Sequence, residues 1–199
     1  MLFVYPDKPH DRRHGPAGYS DYRSYKPWLR DEFFFQCVYC LLRERWVLPL
    51  GKDVFSVDHL VPKSLAPLMA LHYDNLVYSC VRCNNYKSDQ ALIDPCVAAY
   101  GEHLYVDSEG AIHSETFQGR NLIDILDLNH PKFIEMRKTF LGIHAALRRG
   151  ECKELRSLFF YPTDTPDLRQ LNPPDNFRPD GLETCHFARQ EKGELPQSY

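Results

Sequence analysis

Two Cys-x-x-Cys pairs constrain this sequence more than any other feature. They are Cys37-x-x-Cys40 and Cys80-x-x-Cys83. Each pair lets two thiolates reach one ion at about 2.3 Å, so two pairs supply the four ligands of a closed tetrahedral zinc site. The alternatives are a redox dithiol, which needs only one pair, and chance burial of small apolar thiols. The spacing favours a structural Zn²⁺ ion held by all four cysteines.

The other cysteines show no pairing pattern. The 199-residue chain has 7 cysteines, and Cys96, Cys152 and the Cys185-His186 pair lack partner spacing. We interpret them as packing or tail residues and expect no disulfides, as in a reducing compartment. No apolar run approaches the roughly 18 residues of a membrane span, and the apolar start stops at Pro6, too short for a signal peptide. These features predict a cytoplasmic protein without a membrane segment.

Composition limits the classes of partner. Hydrophobic residues make up 43% and charged residues 26%, the balance of an ordinary globular protein. Lys and Arg total 24 against 27 Asp and Glu, a net charge of -3. This charge argues against a protein that coats nucleic acid by bulk attraction, so any nucleic-acid contact has to come from a local basic patch.

The stretch between the cysteine pairs is too long for a simple zinc ribbon. It covers residues 41–79, about twice the 15 to 20 residues that a ribbon uses. Apolar residues from Val54 to Leu60 predict one short strand, and residues 76–78 predict a second. We expect Asn84 to cap a helix that runs through Lys87 to Leu92. The order strand, loop, strand, helix predicts a small α+β unit stapled by zinc.

Three motif elements lie in order within and after this stretch. They are Asp58-His59-x-x-Pro62, Asn75-Leu76 before the second pair, and Cys83-Asn84-x-x-Lys87. Together they resemble the HNH endonuclease family, in its variant with Asn as the last motif residue, over residues 37 to about 92. The resemblance implies a ββα-metal finger, one catalytic divalent ion, and DNA hydrolysis that leaves 5′-phosphate and 3′-hydroxyl ends. A competing interpretation is the nuclease component of an antiphage defence system that is silent until a protein partner activates it. Pairing of two copies of the chain stays open.

The same residues suit phosphodiester hydrolysis on chemical grounds. His59 can act as the base for the attacking water, and Asn75 suits the role of orienting its ring. Asp58 and Asn84 offer hard oxygen ligands that fit Mg²⁺, or Mn²⁺, better than a soft metal. Neighbours in a strand point to opposite faces, so Asp58 and His59 can share a site only where the strand ends or bends. The simpler interpretations are an Asx turn at Asn75 and a plain helix cap at Asn84.

Basic side chains near these motifs are candidate phosphate contacts. The candidates are Lys87, Arg82, Arg43 and Arg45. We expect His72 to be a loop or core residue, and Asn85 and Tyr86 to be structural or substrate-facing. The competing function is a non-catalytic, zinc-containing nucleic-acid-binding module, and a nuclease acting on RNA or single strands is a weaker option.

Composition along the chain predicts four segments. They are a basic, aromatic N-terminal segment (1–30), the zinc-stapled HNH core (31–95), a hairpin and helices that buttress the core (96–160), and a Pro-rich acidic extension (161–199). Residues 1–30 either track phosphates or pack their aromatic rings on the zinc module. Apolar residues from Phe133 to Leu147 recur at helical spacing, which predicts a core helix that starts at Pro131.

Overall fold

A computed structural model describes residues 2–47 and 50–196 of the chain. In chain order its helices are α1 (Lys26–Glu32), α2 (Val81–Lys87), α3 (Phe117–Ile125), α4 (Pro131–Arg148) and α5 (His186–Glu191). Its strands are β1 (Phe55–His59), β2 (Leu76–Cys80), β3 (Tyr105–Val106) and β4 (Ile112–His113). The predicted α+β fold class is confirmed. None of the helices in the described residues is both long and apolar enough to cross a membrane.

The chain divides into two compact units that do not follow the four predicted segments. One unit contains residues 11–91 and the chain from residue 159 onward, and the other contains the chain up to residue 10 and residues 92–158. The division differs because segments far apart in sequence pack with the cysteine-rich region. The buttressing role of residues 96–160 stays a prediction.

The first unit contains the predicted strand, strand, helix arrangement. β1 and β2 pair antiparallel, with Val57 opposite Tyr78 and His59 opposite Leu76. All five residues of β2 are buried, as expected of a strand covered on both faces. The rings of Phe55 and Tyr78 stack with centroids 5.1 Å apart, which fixes the hairpin near the cysteines.

Helix α2 starts earlier and ends earlier than the sequence predicted. Cys80, not Asn84, is its N-cap, because the Cys80 sulfur accepts a hydrogen bond from the Cys83 N–H at 3.4 Å. The helix ends at Lys87, and Ser88 follows in the left-handed region at φ 48. The prediction that the helix extends to Leu92 was therefore wrong. The second cysteine pair itself forms the first helical turn, which puts Asn84 inside the helix.

Three consecutive charged residues at the end of α1 are buried. Arg30, Asp31 and Glu32 are 5%, 0% and 0% exposed. Asp31 accepts hydrogen bonds from His14 Nε2 and from His186 Nδ1, each at 2.9 Å. Burial opposes the charge of Asp31, but the hydrogen bonds from both histidines hold its pKa well below the ordinary range. The acidic extension is thus held against α1 through His186, the first residue of α5.

Residues 11–30 of the basic N-terminal segment belong to the first unit. The Arg12 guanidinium lies between the rings of Phe33 and Tyr73, with its Cζ 5.2 and 5.1 Å from their centroids, and it donates to the Leu76 carbonyl at 2.8 Å. Trp28, in α1, is fully buried. Arg12 and Trp28 therefore pack within the zinc module, which is one of the two alternatives for this segment.

The second unit contains the predicted hairpin and the predicted long helix. β3 and β4 pair antiparallel, and α4 starts at Pro131. The expectation that its apolar face forms core was wrong, since Phe133, Phe140 and Leu147 are only partly buried. Arg137 is instead the buried residue of this helix in the described chain, and it donates hydrogen bonds to the carbonyls of Gly110 and Leu128.

Candidate active site and metal centre

The four paired cysteines meet at one point in the first unit. All four are buried, and their sulfur atoms lie within 4.8 Å of one another. Cys40 Sγ and Cys80 Sγ are 3.7 Å apart, close to the edge of about 3.8 Å of a tetrahedron with 2.3 Å metal–sulfur bonds. The first pair is closed by the Cys37 N–H, which donates to the Leu42 carbonyl at 2.8 Å. The cluster therefore has the donor set and the size of a single-metal site.

The thiols of this cluster influence one another's protonation. Hydrogen bonds from Cys37, Cys40 and Cys83 lower the pKa of the Cys80 thiol far below its ordinary value. Contacts with neighbouring cysteines, together with burial, raise the pKa values of Cys40 and Cys83. Four buried sulfurs cannot all carry a negative charge at this distance without a cation, which is why such a cluster favours a divalent ion.

Asp58 is held from two sides at the face of β1 that meets α2. The Tyr39 hydroxyl donates to Asp58 Oδ2 at 2.7 Å, and Lys87 Nζ lies 3.4 Å from Oδ1. The residue is 3% exposed. Burial raises the pKa of the Asp58 carboxyl, and the Lys87 charge and the Tyr39 hydrogen bond partly oppose that shift. The carboxylate is thus oriented by groups from the cysteine loop and from α2.

Tyr39 is a site residue that the sequence reasoning missed. It lies between Cys37 and Cys40, and it is fully buried. The backbone beside it is tied to β2, because the Val38 N–H donates to the Tyr78 carbonyl at 3.0 Å. A buried tyrosine hydroxyl normally needs an acceptor, and this need was the signal available in the sequence. Through Tyr39 the cysteine cluster is directly connected to Asp58.

His59 is the last residue of β1. The strand therefore ends where it has to end if Asp58 and His59 are to share a site. Its Nε2 lies 2.9 Å from the Ala70 carbonyl oxygen, and a carbonyl can only accept, so Nε2 carries the proton. Nδ1 is then the ring nitrogen with a lone pair. Burial lowers the pKa of His59, so the ring is neutral near pH 7 and able to accept a proton.

Asn75 connects to His59 only through the loop that carries Ala70, and its orienting role stays a prediction. Its Oδ1 accepts from the Val61 N–H at 2.9 Å, and its Nδ2 donates to the carbonyls of Val61 and Met69 at 3.0 and 3.3 Å. These bonds fix the loop next to Ala70. The carbonyl of Ala70, not the amide of Asn75, sets the tautomer of His59.

Asn84 lies on the same helix face as Lys87, one turn earlier. Its Nδ2 donates to Ser56 Oγ at 2.9 Å, which leaves its Oδ1 as a ligand atom. Ser56 and Asp58 share one face of β1, since they are two residues apart in a strand. Asp58 and Asn84 therefore contribute oxygen atoms to one strand–helix contact, and this donor set fits a hard cation such as Mg²⁺.

The predicted phosphate contacts occupy different environments. Lys87 is 1% exposed and also donates to the His59 carbonyl, so it lies inside the site and not on its surface. Arg43 is 8% exposed, with its Cζ 5.0 Å from the Trp46 ring centroid. Both side chains are buried, and their contact with a phosphate stays a prediction. Arg82, stacked over Tyr86 at 4.2 Å, and Arg45 are partly exposed.

Comparison with known proteins supports the resemblance seen in the sequence. Residues 37–90 match the family model described as HNH endonuclease. Septu protein PtuB of Bacillus thuringiensis is 26% identical over 127 residues, which cover 58% of this chain and 48% of that protein. The chain thus spans about half the length of this curated relative. With the cysteine cluster, the end of β1 and α2 all inside the matched segment, residues 37–90 form a domain of the HNH endonuclease family.

Proposed function

We propose that the protein is a metal-dependent HNH-type endonuclease that hydrolyses DNA to 5′-phosphate and 3′-hydroxyl ends. The observation that carries the proposal is the position of His59 at the end of β1, directly after Asp58, with its Nε2 donating to the Ala70 carbonyl. A neutral histidine with one oriented lone pair is the group that a hydrolytic site needs to accept a proton from water.

The chain's own side chains account for the proton transfers of the reaction. His59 Nδ1 takes a proton from water, the water oxygen bonds to phosphorus, and the bond between phosphorus and the 3′ oxygen breaks. The 3′ oxygen takes a proton from solvent, and the phosphate stays on the 5′ end. When held by Asp58 and Asn84, Mg²⁺ or Mn²⁺ supplies charge neutralisation at the phosphate and at the leaving oxygen. Tyr39 and Lys87 keep the Asp58 carboxylate in place.

The proposal includes a Zn²⁺ ion on Cys37, Cys40, Cys80 and Cys83, with a structural role. Four sulfur ligands leave no open position for substrate, so this ion acts on folding and not on the reaction. We also propose that the nuclease works in an antiphage defence system with a protein partner or a second copy of the chain. The similarity to Septu protein PtuB supports that assignment.

A nicking assay on supercoiled plasmid tests the proposed activity. We expect wild-type protein to relax the plasmid in Mg²⁺, and His59→Ala to be slower by about 100-fold or more, the usual contribution of a general base. His113→Ala is the matched control, since His113 lies in β4 and is exposed. Zinc content and circular dichroism have to stay unchanged in both variants. Equal nicking by wild type and His59→Ala would refute the mechanism.

One observation favours the alternative of a non-catalytic nucleic-acid-binding module. Lys87 Nζ already neutralises Asp58, the carboxylate proposed to hold the catalytic cation. If Lys87 keeps that place, the domain binds DNA but takes up no second metal. Titration of the zinc-loaded protein with Mn²⁺, followed by electron paramagnetic resonance, separates the two functions. Saturable Mn²⁺ binding that is lost in Asp58→Asn supports the nuclease.

A further inference from the structure

Two exposed cations gather around the ring that packs on His59. The rings of Tyr22 and His59 meet edge to face, with centroids 4.7 Å apart. Lys63 Nζ lies 4.6 Å from the Tyr22 centroid, and Arg23 Cζ lies 5.4 Å from it. Lys63 is exposed, and the Arg23 side chain is 75% exposed. A polyanion that approaches the Tyr22 ring therefore meets positive charge next to the proposed base.

The two cations differ in strength as phosphate contacts. Arg23 Nη1 lies 3.9 Å from Asp21, an exposed carboxylate that offsets part of its charge. Exposed pairs of this kind are weak, so a phosphate can compete with Asp21 for Arg23. Lys63 contacts the face of an aromatic ring, which holds the ammonium without neutralising it. Lys63 is thus the stronger of the two anchors.

The loop that carries Lys63 also exposes large apolar side chains. This β1–β2 loop, residues 60–75, exposes Leu65, Leu68, Met69 and Leu71 at 65%, 90%, 39% and 41%. Several large apolar side chains exposed in one short loop are typical of a surface that contacts another molecule. Leu68 lies in the short turn Pro67–Met69, at the tip of the loop.

Hydrogen bonds of Asn75 and His59 connect this loop to the proposed active site. Asn75 holds Val61 and Met69, and the next carbonyl, that of Ala70, accepts from His59 Nε2. Asn75 is 3% exposed, so water competes little for these bonds. The bonds to Val61 and Met69 hold the backbone on both sides of Leu68.

We infer that the β1–β2 loop enters duplex DNA at the cleavage site, with Lys63 and Arg23 on backbone phosphates and Leu68 as an apolar wedge between base steps. The inference rests on the proposed function and names the docking surface of that same site. Proteins that bind the minor groove combine cations with an inserted Leu, Ile, Met, Phe or Pro side chain, which kinks the duplex. A protein-docking patch explains the leucines but not the two cations on the ring beside the proposed base.

Salt-dependent binding tests the phosphate contacts. Fluorescence anisotropy of a labelled duplex, without added Mg²⁺, gives Kd at several salt concentrations. We expect Lys63→Gln to weaken binding and to reduce the slope of log K against log salt by about one, the loss of one phosphate contact. Lys192→Gln, an exposed cation after α5, is the matched control and should bind as wild type does. An unchanged slope in Lys63→Gln overturns this part of the inference.

Base unstacking tests the wedge. A duplex with 2-aminopurine at successive positions brightens where a base loses its stacking partner. With wild type, 2-aminopurine fluorescence should increase at one position of the duplex, and with Leu68→Ala this increase should be absent. Leu68→Ala should also bind the duplex about tenfold more weakly, as expected when a leucine is no longer buried. The control is Val97→Ala, an apolar residue that is 76% exposed in the other unit.

The outcomes separate this inference from the proposed function. Binding and unstacking are measured without cleavage, so a wild type that binds and unstacks DNA but never cuts it refutes only the catalytic proposal and supports the inference. The inference alone is overturned if wild type cuts DNA while Lys63→Gln and Leu68→Ala still bind and unstack DNA as wild type does. The inference is also overturned if Leu68→Ala no longer binds a protein partner but still binds and unstacks DNA. That result assigns the loop to protein docking.

Discussion

Removing a single oxygen atom, by Tyr39→Phe, tests the link between the cysteine cluster and the active site. The Tyr39 hydroxyl donates to Asp58 Oδ2 at 2.7 Å, and the two residues are 0% and 3% exposed. A hydrogen bond to a buried charged group contributes about 1.5–3 kcal/mol, and the unpaired carboxylate oxygen that remains is costly. We therefore expect the free energy of unfolding to fall by about 2 kcal/mol. Groups that orient a metal ligand are commonly worth 10- to 100-fold in metal affinity, and we expect Mn²⁺ binding to weaken by that factor.

Three measurements on Tyr39→Phe separate orientation from folding. Mn²⁺ titration gives the affinity of the proposed catalytic site, mass spectrometry gives the zinc content, and urea denaturation gives the stability. Zinc content should stay at the wild-type value, because Tyr39 contributes no ligand atom to the cluster. Tyr105→Phe, a tyrosine that is 54% exposed in β3, is the control. Wild-type Mn²⁺ affinity and wild-type nicking in Tyr39→Phe would refute the reasoning.

Three further changes follow from the buried charges and the cysteines. Asp31→Asn should cost about 3–5 kcal/mol, since it removes one partner of a buried charge cluster. Because the folded pKa of Asp31 is depressed, its stabilisation is present above pH 3.8 and is lost as pH falls below that value. In urea titrations from pH 6 to 3, stability should therefore fall more steeply in wild type than in Asp31→Asn. Cys80→Ser should lower zinc content and abolish cooperative thermal unfolding of the first unit, whereas Cys152→Ser, an exposed cysteine, should change neither. Lys87→Met should be less stable than wild type, because it removes the cation paired with Asp58. Adding Mg²⁺ should raise the melting temperature of this variant more than that of wild type, because Mg²⁺ replaces the lost positive charge beside Asp58. An equal rise in both proteins would contradict the role of the ion pair.

The parts of the fold that the sequence could predict are those set by local rules. The cysteine spacing fixed which four side chains meet, and the apolar runs around Val57 and Val77 marked both strands. The end of β1 at His59 meets the condition under which Asp58 and His59 could share a site. These inferences hold because ligand spacing and side-chain alternation depend on few neighbours.

The remaining features depend on contacts between distant segments. The start of α2 at Val81 was missed, because a cysteine sulfur serves as its cap in place of the expected Asn84 side chain. The burial of Lys87 could not be foreseen, since a lysine after a motif residue normally lies on the surface. Asp31 bonds to His186 across 155 residues of sequence, and no periodicity encodes such a pair.

Chemical rescue of His59→Ala tests the central claim most directly. Single-turnover cleavage of plasmid in Mg²⁺ is measured for wild type, for His59→Ala, and for His59→Ala with added imidazole. If His59 is the base, the variant is about 100-fold slower or more, and imidazole restores part of the rate by accepting the proton in its place. Cleavage by His59→Ala at the wild-type rate without imidazole would contradict the account.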